Sequence, residues 1–246
     1  MVSLASNVAR TGNGLQTLEQ QLNHIAVSST PACLNVRQTL IRGWERAVDG
    51  ILSNGVLTAP DEVILMTYVQ KFGLAQGDLN SNGTFTRLAY GCALRDVLEK
   101  GTTSRAVITF QLPFNLQKSE SLVWCFRNVA CYEEKIYKQL IGNSQGVSFR
   151  VMKGVYYRVG QSKGYTQETA RTEQVDSGML GITTEHVYFA GQKQSFRISY
   201  KKIVSFTPYS DGIGICKDGV RAKPQTFITG EGWFVYNLVM NLSQNS

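Results

Sequence analysis

The chain is poor in what builds membrane spans, disulfide frameworks and metal sites. No apolar run approaches the roughly 20 residues that a spanning helix needs. The opening stretch MVSLASNVARTGNG lacks the long apolar core of a secretory signal, so a cytoplasmic protein is expected. There are five cysteines, Cys33, Cys92, Cys125, Cys131 and Cys216. The odd count, irregular spacing and missing Cys-x-x-Cys indicate a reduced intracellular protein and not a disulfide scaffold. Only two histidines occur, His24 and His186, so a Cys/His metal site lacks spaced ligands. Neither a metal nor a cofactor is expected.

Catalytic signatures are equally scarce. The chain has no Gly-x-Ser-x-Gly, no His-Glu-x-x-His, no Walker-type phosphate loop and no Gly-x-Gly-x-x-Gly opening a helix. DGIGICKDG carries Gly212, Gly214 and Gly219, but it reads as a strand hairpin with no helix behind it to hold phosphate. Glu133 and Glu134 are adjacent on an expected strand, where neighbours point to opposite faces. No nucleophile, base and orienting group come together in the sequence. A non-catalytic protein is expected.

What is present is a globular composition: 246 residues, 43% hydrophobic, mean hydropathy −0.14. That suits one large or two modest domains, each able to bury a core. The net charge of +7 is uneven: residues 1–100 hold eight Lys/Arg against eight Asp/Glu, and residues 101–246 hold seventeen against ten. The whole excess lies in the second part, where it fits nucleic acid, acidic lipid, an acidic protein face or an ordinary solvated surface.

The first hundred residues read as helical. Residues 1–31 are polar, with one short helix expected from Leu15, Leu18, Leu22 and Ile25. Residues 32–101 form the expected helical domain. Leu34, Leu40, Ile41, Trp44, Val48, Ile51 and Leu52 share one face of its first helix. The next begins at Thr58 or Ala59, with Pro60, Asp61 and Glu62 in its first turn and Gly73 after it. A third runs from about Phe85 to Leu98 and stops at Gly101. Asp78 to Ala89 resembles an EF-hand loop, with Asp78, Asn80, Asn82 and Gly83 in place, but Ala89 stands where a bidentate glutamate belongs. With one carboxylate it would hold calcium poorly, and an Asn/Gly-rich turn is the expectation.

From residue 102 the texture is β. Seven strand-like runs are bounded by turn residues: 121–136, 147–162, 169–184, 186–191, 194–209, 213–217 and 225–229. The third and fifth are long enough to require bends. An amphipathic helix follows in GEGWFVYNLVMNL. The expected fold is α+β: a small helical domain, then over 102–246 a seven-stranded antiparallel β-barrel capped by a C-terminal helix.

GMLGITTEHVYFAG (178–191) followed by SFRISYKKIVSF, with the entry LQKSESLVW, resembles the centre of bacterial PH-like and GRAM-like domains across residues 114–243. The helical part resembles TerB-like modules but lacks their paired acidic metal motif. The whole chain resembles a bacterial family that joins the two parts. The resemblance implies that Leu180, Ile182, Val187 and Phe189 face a barrel core, with the turn at 183–185 and His186 structural.

It further implies a binding role, first as an adaptor for a protein partner taken by strand addition, with Tyr156, Tyr157, Tyr200, Tyr209 and Trp233 as candidate contact aromatics. The alternative is an acidic membrane surface met by Lys153, Arg158, Lys163, Lys193, Arg197, Lys201 and Lys202, each worth about 1 kcal/mol near anionic lipid. Nucleic acid ranks third, because neither a recognition helix nor an RNP-like aromatic pair is present.

Overall fold

The structure, a computed structural model, describes residues 1–28, 32–54, 57–105, 111–141, 147–152, 155–159, 165–219 and 222–244. It has the expected α+β class: a helical N-terminal region, a curled seven-stranded antiparallel sheet forming a half-barrel, and a C-terminal helix. The chain divides into two compact units, one of Met1–Cys125 with Ile182–Glu185 and Asn237–Ser246, the other of Phe126–Gly181 with His186–Tyr236.

The helices are α1 (Val2–Thr11), α2 (Leu15–Ser28), α3 (Ala32–Asn54), α4 (Ala59–Lys71), α5 (Gln76–Leu79), α6 (Thr84–Lys100) and α7 (Gly232–Gln244). Helix α1 was not expected from the sequence, which reads there as polar. It packs through small residues: Ala5, Val8 and Ala9 are buried, and Gly43 of α3 lies so close that a Cβ there would come 2.5 Å from Ala5 Cβ. Trp44 is fully buried at the centre of the helical core. Its Nε1 donates to the Leu65 carbonyl at 3.2 Å, and its ring stacks on Phe85 at 6.2 Å. Helix α4 starts as its sequence dictates. Thr58 accepts from the Asp61 N–H through its hydroxyl, Asp61 returns a bond to the Thr58 N–H, and proline occupies the first turn.

One ion network fastens this unit. Arg95 of α6 is buried, and its Nη2 donates to Glu62 at 2.7 Å and to Asp96 at 3.2 Å. Arg105, four residues beyond the αL cap Gly101, donates to Glu62 at 2.8 and 3.0 Å and closes on Asp96. Burial pushes both carboxyls up, but hydrogen bonds from Arg105 and Arg95 outweigh it and hold Glu62 and Asp96 below their ordinary values.

The strands are β1 (Leu122–Ile141), β2 (Val147–Met152), β3 (Val155–Val159), β4 (Tyr165–Thr183), β5 (His186–Gly191), β6 (Ser195–Ser199), β7 (Ile203–Pro208), β8 (Gly212–Lys217) and β9 (Gln225–Ile228). The seven-stranded sheet has the order β6-β5-β4-β1-β9-β8-β7. Two expected runs divide differently. The run 147–162 is no wall strand: it forms β2 and β3, a separate two-stranded sheet. The run 194–209 is broken by a 3₁₀ turn, Tyr200–Lys202, into β6 and β7, which are the two edges of the sheet.

The hairpin 178–191 behaves as wall. Leu180, Ile182, Val187 and Phe189 are all buried, with Thr184 and Glu185 at the bend. Phe189 packs with Phe196 and Phe227 at centroid distances of 5.4 and 5.7 Å. The next turn is pinned by Asp176, whose carboxylate accepts backbone N–H bonds from Ser177, Gln192, Lys193 and Gln194 at 2.8–3.2 Å. Gly191 is required beside it, because a Cβ would overlap the carboxylate.

Candidate functional site

Strand β7 has one neighbour in the sheet, β8, so one line of its backbone faces away from any strand among the described residues. The pairing sets Ile203 opposite Lys217, Phe206 opposite Ile215 and Pro208 opposite Ile213, with a bulge between Ile203 and Ser205. At the hairpin end the Tyr209 N–H donates to the Gly212 carbonyl at 3.1 Å. Antiparallel ladders alternate inward and outward bonding, so Thr207 also bonds inward while Phe206 turns its N–H and C=O to the free edge. The strand is exposed over most of its length, and Val204 reaches 67% exposure.

The far end of β7 carries two large exposed aromatics. Tyr209 is 45% exposed and Trp233, at the start of α7, is 53% exposed. Backbone contacts hold them at one corner. The Asp211 carbonyl accepts from the Thr229 and Gly230 N–H groups, both at 2.9 Å. Gly232 lies so near the Tyr209 carbonyl that any side chain at 232 would collide with it. Helix α7 contains no charged residue. It buries Phe234, Val235, Leu238, Val239 and Leu242, and Phe234 lies 5.9 Å from the Phe126 ring. Trp233 and the half-buried Tyr236 lie off that buried face.

The near end of β7 is basic. Lys201 and Lys202 are both exposed in the turn that feeds the strand. The Lys202 carbonyl accepts from the Asp218 N–H at 2.8 Å, which fixes that turn on β8.

The remaining expected residues disperse. Lys193 and Arg197 are exposed, but on the β5–β6 turn and on β6, at the opposite edge of the sheet. Arg158 and Tyr156 lie on β3, opposite Ser148 and Arg150, in the separate hairpin, with Tyr157 opposite Phe149. Lys153 and Lys163 lie outside the described residues. Tyr200, a candidate contact aromatic whose pattern suits a core position equally well, is 4% exposed and belongs to the core. The 3₁₀ turn resets the strand alternation, so Tyr200 points inward while the two lysines after it point out. The sequence missed Val204, which alternation alone would place either way.

Other polar groups are engaged in structural roles. In the EF-hand-like loop, Asp78 pairs with Arg37, the Asn80 carbonyl oxygen accepts from Thr86 at 3.0 Å, and Asn82 donates to Glu45 at 3.0 Å. A cleft of about 430 Å³ between α3 and that loop is lined by these paired groups, with Ile41 and Arg42. Burial pushes the Cys92 and Cys131 thiols up to about 12, so both are neutral and unreactive near pH 7. His186 is 9% exposed, with its ring 5.8 Å from Tyr188. Among the described residues no group of three His, Cys, Asp or Glu side chains could hold a metal ion, and no helix is long and apolar enough to cross a membrane.

No protein-family model, no curated protein and no solved structure matches the chain.

Proposed function

We propose that this protein is a non-catalytic adaptor, and that it takes an extended segment of a partner protein as an added strand on β7. The observation that carries this is the edge itself: Phe206 turns its N–H and C=O away from β8, no strand pairs there among the described residues, the strand is exposed over most of its length, and two exposed aromatics stand at its end. In strand addition the main chain supplies affinity and flanking side chains supply selectivity. The seven antiparallel strands with a following helix support reading this region as PH-like, with β2 and β3 inserted between the first two wall strands. Arg197, Lys201 and Lys202 are exposed on β6 and on the three-residue turn that joins it to β7, so their charge also suits an acidic membrane surface, and it is the open backbone of β7 with its aromatics that favours a protein strand.

Selection of peptides displayed as a random library against the full chain tests the proposal. Selected peptides are expected to slow hydrogen exchange at the Phe206 amide. Binders that leave Phe206 and its neighbours unchanged, and shift another surface, overturn it.

A further inference from the structure

The two ends of the β7 edge differ, basic at one and aromatic at the other, and that difference specifies its occupant. Two exposed lysines, Lys201 and Lys202, stand where the strand begins. Exposed Tyr209 and Trp233 stand where it ends, beside the exposed Asp211 of the turn and an α7 that carries no charge. Tyr209 is seven residues beyond Lys202, about 23 Å at a strand's rise of roughly 3.3 Å per residue. Resting on the strand-addition reading above, we propose that the ligand is an extended protein segment with a large apolar residue at its N-terminal end and acidic residues about six positions later.

The direction follows from the ladder. Antiparallel pairing is the more stable arrangement per residue, and β7 runs from the lysines to the aromatics. An antiparallel ligand therefore enters at Tyr209 and Trp233 and leaves at Lys201 and Lys202. Its apolar side chain lies against the exposed parts of Tyr209, whose ring sits beside Gly214 of β8, and of Trp233, side chains that are large and stiff. Its carboxylates reach the lysines, while Asp211 repels a carboxylate placed at the wrong end. Lys217 at the end of β8 and Asp218 just beyond it, beside Lys202, offset each other in charge and leave the lysine pair as the net local charge.

Selectivity of this kind is electrostatic at one end and apolar at the other, so the two are separable. Two exposed ion pairs are worth about 1–2 kcal/mol together, or roughly tenfold in affinity. That share falls as salt rises, and the aromatic share does not.

The test uses three synthetic peptides with a common β-prone polar host, titrated calorimetrically into the full chain. One carries Trp at the first position and Asp-Asp at the seventh and eighth. The second has that order reversed. The third replaces Asp-Asp with Lys-Lys. The first is expected to bind about tenfold more tightly than either other, and to protect the Phe206 amide. The double variant Lys201→Glu with Lys202→Glu is expected to prefer the third peptide. Trp233→Ala is expected to weaken all three. These sites are exposed, and circular dichroism confirms that the variants fold.

Equal affinity for the first and second peptides, with Phe206 still protected, overturns the polarity and leaves the edge reading standing. Perturbation confined to another surface, or no binding by any peptide, overturns both. Sedimentation of the free chain as a dimer that Val204→Asp makes monomeric also overturns the inference, because β7 is then occupied by a second copy.

Discussion

The ion network under α6 and the open edge at β7 treat charged side chains in opposite ways. In the network Arg95, Arg105, Glu62 and Asp96 bond to one another and draw the segment after Gly101 onto α4 and α6. At the edge Lys201 and Lys202 stand in solvent next to a strand with a free backbone line. Charges that face one another hold a fold together. Charges beside unpaired backbone and exposed aromatics remain available to another molecule. Substitutions in the helical unit should therefore register as stability, and substitutions along β7 as binding.

In the helical unit the largest effect is expected where α1 and α3 come closest. Gly43→Val places two methyl groups where even a Cβ meets Ala5 Cβ at 2.5 Å and the Ala5 carbonyl carbon at 3.0 Å. Helix α1 must move away or α3 must bend, and overpacking of this kind costs about 3 kcal/mol. Urea denaturation of the variant checks this, and an unchanged midpoint would mean that α1 does not pack there.

The network comes next. Arg105→Ala removes four hydrogen bonds to Glu62 and Asp96 but leaves Arg95 in place, and a loss of about 2 kcal/mol is expected. The same groups set the acid response. Because the folded carboxyls titrate below their ordinary values, the stability they contribute is full above the unfolded values of 4.5 and 3.8. It is lost as pH falls through the lowered folded values. Stability measured between pH 6 and pH 2 should decline less steeply in Arg105→Ala than in the parent chain. An identical slope would show that the network does not govern acid unfolding.

Legibility in the sequence follows the range of the interactions. Helix α4 could be read to within a residue, because its cap, proline and acidic first turn are all local. Helix α1 was lost because it packs through alanine and valine against a glycine 38 positions away from Ala5, a contact that no periodicity reveals. The sheet was read with the right number of strands for a partly wrong reason. The run 147–162 left the sheet as its own hairpin, and 194–209 supplied two strands instead of one. A strand's position in the sheet order is non-local, so nothing in IVSFTP says that it lies at an edge. Of the five aromatics singled out, Tyr209 and Trp233 are exposed on segments that adjoin through Gly232, Tyr200 is buried, and Tyr156 and Tyr157 lie on a different sheet. The basic residues that are described were legible as charge, while their places on β3, the β5–β6 turn, β6 and the turn before β7 were not.

The smallest pair of effects sharpens the comparison most. Thr58→Ala removes the hydroxyl that accepts the Asp61 N–H and the partner in the reciprocal cap of α4, at a cost of about 1 kcal/mol. Val204→Thr, on a side chain 67% exposed in β7, keeps the branched shape that strands favour and should change stability by no more than about 0.5 kcal/mol. Both sites are local and neither is deeply buried. If β7 were covered in solution by some other part of the chain, introducing a hydroxyl at 204 would cost as much as losing the cap. Thermal denaturation of the two variants side by side reads this directly. A shift for Thr58→Ala with none for Val204→Thr is the result that an open edge requires, and equal shifts would mean that the edge is closed.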